Sequence, residues 1–303
     1  MTDAALTQTS WKSLLLQISK RLWLGAVVAG VGVYLAQNRD VLQNELQAIP
    51  LWSVAVSLGL LIIGRLILAE VTRQSAKLFD WSPSYRQILH FYAVSQLARY
   101  LPGGIWHFVG MAGFYRANGL PLKKASCAIL IEYMWLALGA GAMGVAFFAY
   151  YSSEVNIAII GVAILIGWGA ALWLVNAFMS QRTDFKPIVV QIVLHGLIWT
   201  IMGASFRVLL PQKDIPDLFA LSSGAFSLGW VVGFIVIFAP GGIGVREAVI
   251  TALLSVVIQP EVAIVYATAH RILFVIADIA VYGLDRGANL TLKPVPQQQT
   301  DPV

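Results

Sequence analysis

Apolar residues fill long runs along this chain, and no polar block between them is long enough to fold as a separate soluble domain. A helix that crosses a bilayer needs roughly 20 mostly apolar residues. Six segments read as full spans: Leu22–Gln37, Leu51–Glu70, Ala125–Tyr150, Asn156–Met179, Pro187–Leu210 and Glu261–Leu284. Two further apolar segments are interrupted. Gln87–Leu101 carries His90, Gln96 and Arg99 and, at about 1.5 Å per residue, falls short of a hydrocarbon core of about 30 Å. It meets Pro102-Gly103-Gly104 and restarts as IWHFVGMAGFY. Leu218–Phe238 runs into Pro240-Gly241-Gly242 and restarts as VREAVITALLSVVI. Each pattern predicts a broken, re-entrant hairpin that leaves on the side it entered, although Leu218–Phe238 is long enough to cross.

Composition agrees with a membrane chain. Of 303 residues, 58% are hydrophobic and 12% charged, with a mean hydropathy of +0.76, outside the range of soluble domains. The expected fold is therefore all-α: one polytopic helical membrane domain over residues 22–284. A cytoplasmic N-terminal segment, 1–21, precedes it, and a short polar cytoplasmic tail, 285–303, follows. The first segment shows no cleavage site of the kind that ends a signal peptide. Cys127 is the one cysteine, so no intramolecular disulfide forms.

Charge placement orients the layout. With the N-terminus inside and both broken segments returning to their own side, the inside receives thirteen of the Lys and Arg residues and the outside receives Arg39 and Lys213. That excess marks the cytoplasmic face and places both termini there. Arg65, Arg99, Arg207, Arg246 and Arg271 remain in or at the ends of apolar segments. The two breaks share Pro-Gly-Gly-Ile at an offset of 138 residues, and the spans that follow them align Glu132-Tyr133 with His270-Arg271. Three full spans lie between the hairpins, so they enter from opposite sides, as in an inverted repeat with halves at about 87–150 and 218–284. Paired interrupted segments of this kind point to a substrate site near the midplane.

The chemistry follows from the breaks. Non-helical backbone at membrane depth survives only against protein or a water-filled cavity, so both tips must be interior. Beyond each tip a helix begins whose free N–H groups can hold an anion such as phosphate. Arg246 in a first helical turn is opposed by the helix dipole unless an anion or Glu247 neutralises it. Each of Arg99, Glu132, Arg246, Glu247, Arg271 and Asp278 would cost roughly 2.5–3.5 kcal/mol unpaired at the bilayer centre. They must pair or face water, and a structural ion network joining the halves would use the same residues. Arg271 and Asp278 are seven apart and share one helical face, which should look inward, while His270 points to the next. Glu132, Glu247 and Asp278 are expected to hold the arginines or to move with protons. His107, just after the first break, either meets a phosphate or proton or makes a structural hydrogen bond. His90 and His195 read as helix contacts. Arg207 reads as snorkelling, and Arg65 as either snorkelling or paired. Trp199 and Trp230, with the other tryptophans, suit interfacial belts and packing. LGAGAMG, Leu138–Gly144, offers small residues for close helix contact.

ARYLPGGIWHFVG with a glutamate-bearing span after it, and FAPGGIGVREAVI with a His-Arg span after it, together resemble the lysylphosphatidylglycerol synthase transmembrane, or flippase-like, family. The resemblance covers roughly Leu22–Leu284, and APGGIGVREA is its most specific element. The family includes the membrane half of the multiple peptide resistance factor, which moves aminoacylated phosphatidylglycerol between leaflets. The resemblance implies an inner-membrane lipid translocase for phosphate-bearing lipids or lipid-linked sugars. Its motif positions are Arg99, Pro102, Gly103, Gly104, Glu132, Pro240, Gly241, Gly242, Arg246, Glu247 and Arg271. No soluble aminoacyl-transferase domain follows Leu284, so lysine transfer from tRNA is not the expected activity. Three alternatives stay open: a non-transporting membrane partner of a lipid-modifying or glycosyltransferase enzyme, an intramembrane lipid-modifying enzyme, and a soluble-ion or small-anion carrier that would use the same physics. H-E-x-x-H, G-x-S-x-G and metal-spaced clusters are missing from the sequence. The reading therefore calls for no catalytic residue, metal, cofactor or nucleic acid.

Overall fold

A computed structural model of the chain describes residues 39–79, 81–100, 105–152, 173, 177, 185–210, 215–236 and 240–290. The described residues form nine α-helices: α1 (Arg39–Ala48), α2 (Leu51–Lys77), α3 (Tyr85–Ala98), α4 (Trp106–Ala117), α5 (Leu122–Ser152), α6 (Phe185–Leu209), α7 (Leu218–Ile235), α8 (Val245–Leu254) and α9 (Pro260–Leu290). A single 3-10 turn, Pro240–Gly242, joins α7 to α8. Five of the helices, α2, α5, α6, α7 and α9, are long and apolar enough to cross a membrane. Among the described residues the fold is all-helical, that of a multi-pass membrane protein. The expected spans Leu22–Gln37 and Asn156–Met179, the segment 1–21, and the first break at Pro102, Gly103 and Gly104 lie outside the described residues.

Local chemistry sets the helix boundaries. At the start of α3, Gln87 N–H donates to Ser84 Oγ at 3.3 Å and Ser84 N–H to Gln87 Oε1 at 2.9 Å, a reciprocal cap that satisfies two otherwise orphaned donors. Pro50, extended at φ −66° and ψ 139°, precedes α2. The last helix continues to Leu290, beyond the expected start of the tail. Asp285 is consequently buried and meets His90 Nδ1 at 2.6 Å.

Burial runs opposite to that of a soluble helix. On α2 the buried positions are largely small or polar, among them Ser53, Ser57, Gly64, Ala69, Thr72 and Ser75, while Leu51, Val56 and Ile63 face outward. On α7 the buried set includes Ser222, Ser223, Gly224, Ala225, Ser227, Gly229 and Gly233. Lipid accepts Leu and Ile as readily as a core does, so small residues collect where backbones approach. A methyl group on Gly144 would lie 2.8 Å from Leu228, and one on Gly203 would lie 2.3–2.9 Å from the side chain and Cα of Ser223. Gly203→Ala is therefore expected to force α6 and α7 apart at a cost of about 1–3 kcal/mol. A lowered melting temperature in detergent would show it, and an unchanged melt would contradict this packing.

Two buried clusters organise the molecule. One gathers residues of α2, α3, α4 and α5, and the other joins α5, α6, α7, α8 and α9 to α2 at Leu61 and Val71. Within the first, Phe91 of α3 stacks on Phe114 of α4 with centroids 4.1 Å apart. The chain therefore reverses between α3 and α4. In the second, Gly229 of α7 sits against Ile250 and the Arg246 carbonyl of α8, and Gly233 against Gly242. That reversal centres on Pro240. Trp199 and Trp230, expected at interfaces or in packing, are core residues in edge contact at 5.0 Å.

Candidate functional site

A cavity of about 490 Å³ opens between the two reversals. From the first come Gln96, Arg99, Ile105 and His107, and from the second Gly233, Gly241, Gly242 and Arg246. The rest of the wall comes from α2 (Arg65), α5 (Glu132 and Tyr133), α6 (Trp199 and Met202) and α9 (Phe274). The sequence-derived residues Arg99, His107, Glu132, Gly241, Gly242 and Arg246 thus line one cavity. Glu247, His270, Arg271 and Asp278 are outside this lining and brace the elements behind it.

The second tip is built by glycine. Gly241, Gly242 and Gly244 have φ of 62°, 72° and 83°, the left-handed region that residues with a Cβ rarely adopt. The tip turns directly into α8, whose second residue is Arg246. Glu247 Oε2 accepts the Gly244 N–H at 2.7 Å, satisfying one donor at the helix start. Its other oxygen lies 3.9 Å from Arg271 Nε, and Arg271 Nη2 donates to the Gly241 carbonyl at 2.6 Å.

Arg246 is buried, with Nε and Nη1 lacking hydrogen-bond partners. Its guanidinium lies 5.4 Å from the Phe274 ring centroid and 5.8 Å from that of Trp230. Glu247 is thus committed to the tip and to Arg271, while Arg246, a lining residue of the cavity, keeps two donor atoms without partners. The dipole of α8 and the charge of Arg246 have the same sign at this point, so their combination favours an anion.

Asp278 does not pair with its face-mate Arg271. It takes the Arg65 Nε–H in a fully buried ion pair and also accepts the Tyr100 hydroxyl at 2.6 Å. Arg65, left undecided between snorkelling and pairing, is buried and lies 3.6 Å over the Phe274 ring. Tyr100 stands just before the first break. One face of α9 therefore reaches both helix pairs: Asp278 holds Tyr100 just past the end of α3, and Arg271 holds the second tip through Gly241. The inward face expected from the seven-residue spacing is present, but its partners lie far away in sequence.

His270, on the adjoining face, is buried and shares a hydrogen bond with Ser205 Oγ at 2.8 Å. It also meets Phe206 and Phe226 edge-on, so its role is packing. Glu132 holds none of the arginines. Its Oε1 accepts the Thr72 hydroxyl at 2.7 Å, and its Oε2 is buried without a partner. His107 Nδ1 is likewise unpartnered, with its ring 5.6 Å from Tyr133. His195 makes the expected helix contact, its Nδ1–H donating to the Gln191 carbonyl at 2.7 Å. Arg207 donates to the Leu210 carbonyl at 3.3 Å at the end of its helix. Sequence reasoning missed Tyr92, Tyr100, Trp199 and Trp230 as site-building residues, since an aromatic in an apolar run carries no local mark of which way it faces.

The site combines arginines at positions 65, 99 and 246, the Glu132 carboxyl group, and a broad aromatic surface. Comparison of the chain with protein-family models and with curated proteins finds no match.

Proposed function

We propose that this protein is a lipid translocase that carries a phosphate-bearing head group through the cavity while the acyl or prenyl tails stay in the bilayer. The observation that carries the reading is Arg246, a buried guanidinium with two unpartnered donor atoms in the wall of a cavity framed by two chain reversals. A buried cation without an anion is strongly unfavourable, and a phosphate supplies both charge and acceptors, with guanidinium the best-matched partner. Arg99 adds a second positive group on the opposite hairpin, so a head group between them bridges the halves.

The same proposal holds that the hairpins are re-entrant, form an inverted repeat, and enter from opposite faces of an inner membrane with both termini cytoplasmic. Support comes from the matched Pro-Gly-Gly elements, the cytoplasmic excess of basic residues, the 14-residue length of α3 and the resemblance to flippase-like proteins. In the transport step, the anion displaces water from Arg99 and Arg246, and α9 holds the two tips in register as access changes sides.

The test is leaflet exchange. Purified protein in vesicles carries a tail-labelled phospholipid, and a membrane-impermeant quencher reports the label remaining in the inner leaflet. Exchange is expected above that of protein-free vesicles and to fall at least about tenfold in Arg246→Gln, which removes a charge-assisted pair. Arg207→Gln, at the far end of α6, should exchange normally. Absence of exchange by folded protein, or exchange indifferent to Arg246→Gln, would overturn the proposal.

A further inference from the structure

Three arginines gather on one ring. The guanidinium carbons of Arg65, Arg246 and Arg271 lie over the Phe274 phenyl, at 3.6, 5.4 and 5.5 Å from its centroid. Phe274 is buried. It stands three residues after Arg271 and four before Asp278, on the face of α9 that reaches both helix pairs. Like charges so close together repel, and burial makes each of them costly.

The offsets differ from one arginine to the next. Arg65 gives its Nε–H to Asp278. Arg271 faces Glu247 at 3.9 Å and donates to the Gly241 carbonyl. Arg246 is the exception among the three. Its Nε and Nη1 have no hydrogen-bond partner, and the groups against its guanidinium are rings, Phe274 and, at 5.8 Å, Trp230. A ring face attracts a cation through its quadrupole and takes up none of the hydrogen-bond directions in the guanidinium plane. A carboxylate would hold Arg246 through the same N–H groups that a phosphate uses.

Resting on the translocase reading, we propose that Phe274 is a positioning residue: its ring holds Arg246 in the cavity wall by cation–π attraction, which keeps the guanidinium donors uncommitted until a phosphate arrives. Asp278 and Glu247 serve Arg65 and Arg271, so the ring is what remains for Arg246. Without it, Arg246 turns toward Glu247, its neighbour in the chain, and an incoming phosphate must break that pair before it binds.

Simple packing is the competing account, because Phe274 also belongs to the buried cluster around α9. Fluorination separates the two. Fluorine on the ring withdraws charge from its face and changes its volume little. Phe274 is therefore replaced, in the full chain, by phenylalanines carrying one, two or three ring fluorines. Binding of tail-labelled phosphatidic acid in detergent is read by fluorescence anisotropy, with inorganic phosphate as competitor. Affinity should fall stepwise along the series and reach a loss of about tenfold at the trifluoro ring, as expected for a desolvated cation–π contact. Phe274→Leu should weaken binding at least as much. The same change in an Arg246→Gln background should cost less than about twofold, because Phe274 acts through that side chain.

The fluorinated series decides the matter if Phe274→Leu fails to fold. An affinity that stays flat along the series, in a protein that Arg246→Gln still weakens, would overturn this inference and leave the phosphate reading standing. A Phe274→Leu loss that persists undiminished in the Arg246→Gln background would also overturn it, by assigning the effect to another group on the ring such as Arg65. Inorganic phosphate that competes as well as the lipid, with the same dependence on fluorine, would keep the Phe274 assignment and count against a lipid cargo. Failure of phosphatidic acid and inorganic phosphate alike to bind folded wild type would overturn both.

Discussion

Replacing Asp278 with leucine is expected to destabilise the protein by about 3–5 kcal/mol, and replacing Arg65 with methionine in the same chain to restore most of that loss. Both partners of the pair are almost fully buried. The single change strands the Arg65 guanidinium, which remains charged because it cannot give up its proton at any pH a protein survives. Arg65→Met alone should be milder. The carboxyl it leaves behind can take up a proton and still meet Tyr100. The double variant removes both charges and fills the space with apolar groups, an exchange that is commonly near neutral.

Melting temperature and monodispersity in detergent check the order: Asp278→Leu lowest, Arg65→Met between, and the double variant near wild type. An Asp278→Leu protein as stable as wild type, or a double variant no better than it, would show that the pair does not anchor α9. The recovered double variant is also informative about the site, because Tyr100 has then lost its acceptor. The first hairpin should be loosened and lipid exchange slowed in a protein that is otherwise folded.

The pair also shows where a sequence stops being legible. Long apolar runs announced α2, α5, α6 and α9, and the Ser84-x-x-Gln87 pattern marks the start of α3, because these signals are local. The Pro240-Gly241-Gly242 turn was equally plain, since few residues other than glycine accept that backbone. Arg65 and Asp278 are 213 residues apart, and nothing in the neighbourhood of either names the other. The seven-residue spacing of Arg271 and Asp278 correctly put both on one face of α9, yet each reaches a different hairpin.

Glu132 illustrates a subtler limit. Counting embedded charges implied that it would hold an arginine or move with protons, but Thr72 occupies one oxygen and the second is buried without a partner. The tryptophans fail for another reason. Lipid and protein interior are both apolar, so hydropathy alone does not distinguish the buried Trp199 and Trp230 from the exposed Trp52.

Gly242→Ala should damage the second tip far more than Gly241→Ala, although both glycines have left-handed backbones. The left-handed conformation alone costs an alanine roughly 1–2 kcal/mol, and that part is common to the two. Their surroundings differ. A methyl group on Gly242 would lie 2.9 Å from the Gly233 carbonyl oxygen, 3.0 Å from its Cα and 3.1 Å from its carbonyl carbon. All three are backbone atoms of α7, so relief requires the tip and the helix to part. Overpacking of this kind adds about 1–3 kcal/mol.

On Gly241 the close atom is Arg271 Nη2 at 2.9 Å, the far end of a flexible side chain that can swing aside. Gly241→Ala should therefore lower the melting temperature only by the left-handed backbone cost of roughly 1–2 kcal/mol and mainly disturb the Arg271 hydrogen bond. Gly242→Ala should lower the melting temperature markedly. It should also abolish lipid exchange, because α8 starts three residues later and carries Arg246 away with the displaced tip. Comparable melts for the two variants would show that Gly242 does not lock α7 to the turn. A Gly242→Ala protein that exchanges lipid normally would separate the tip from the transport path altogether.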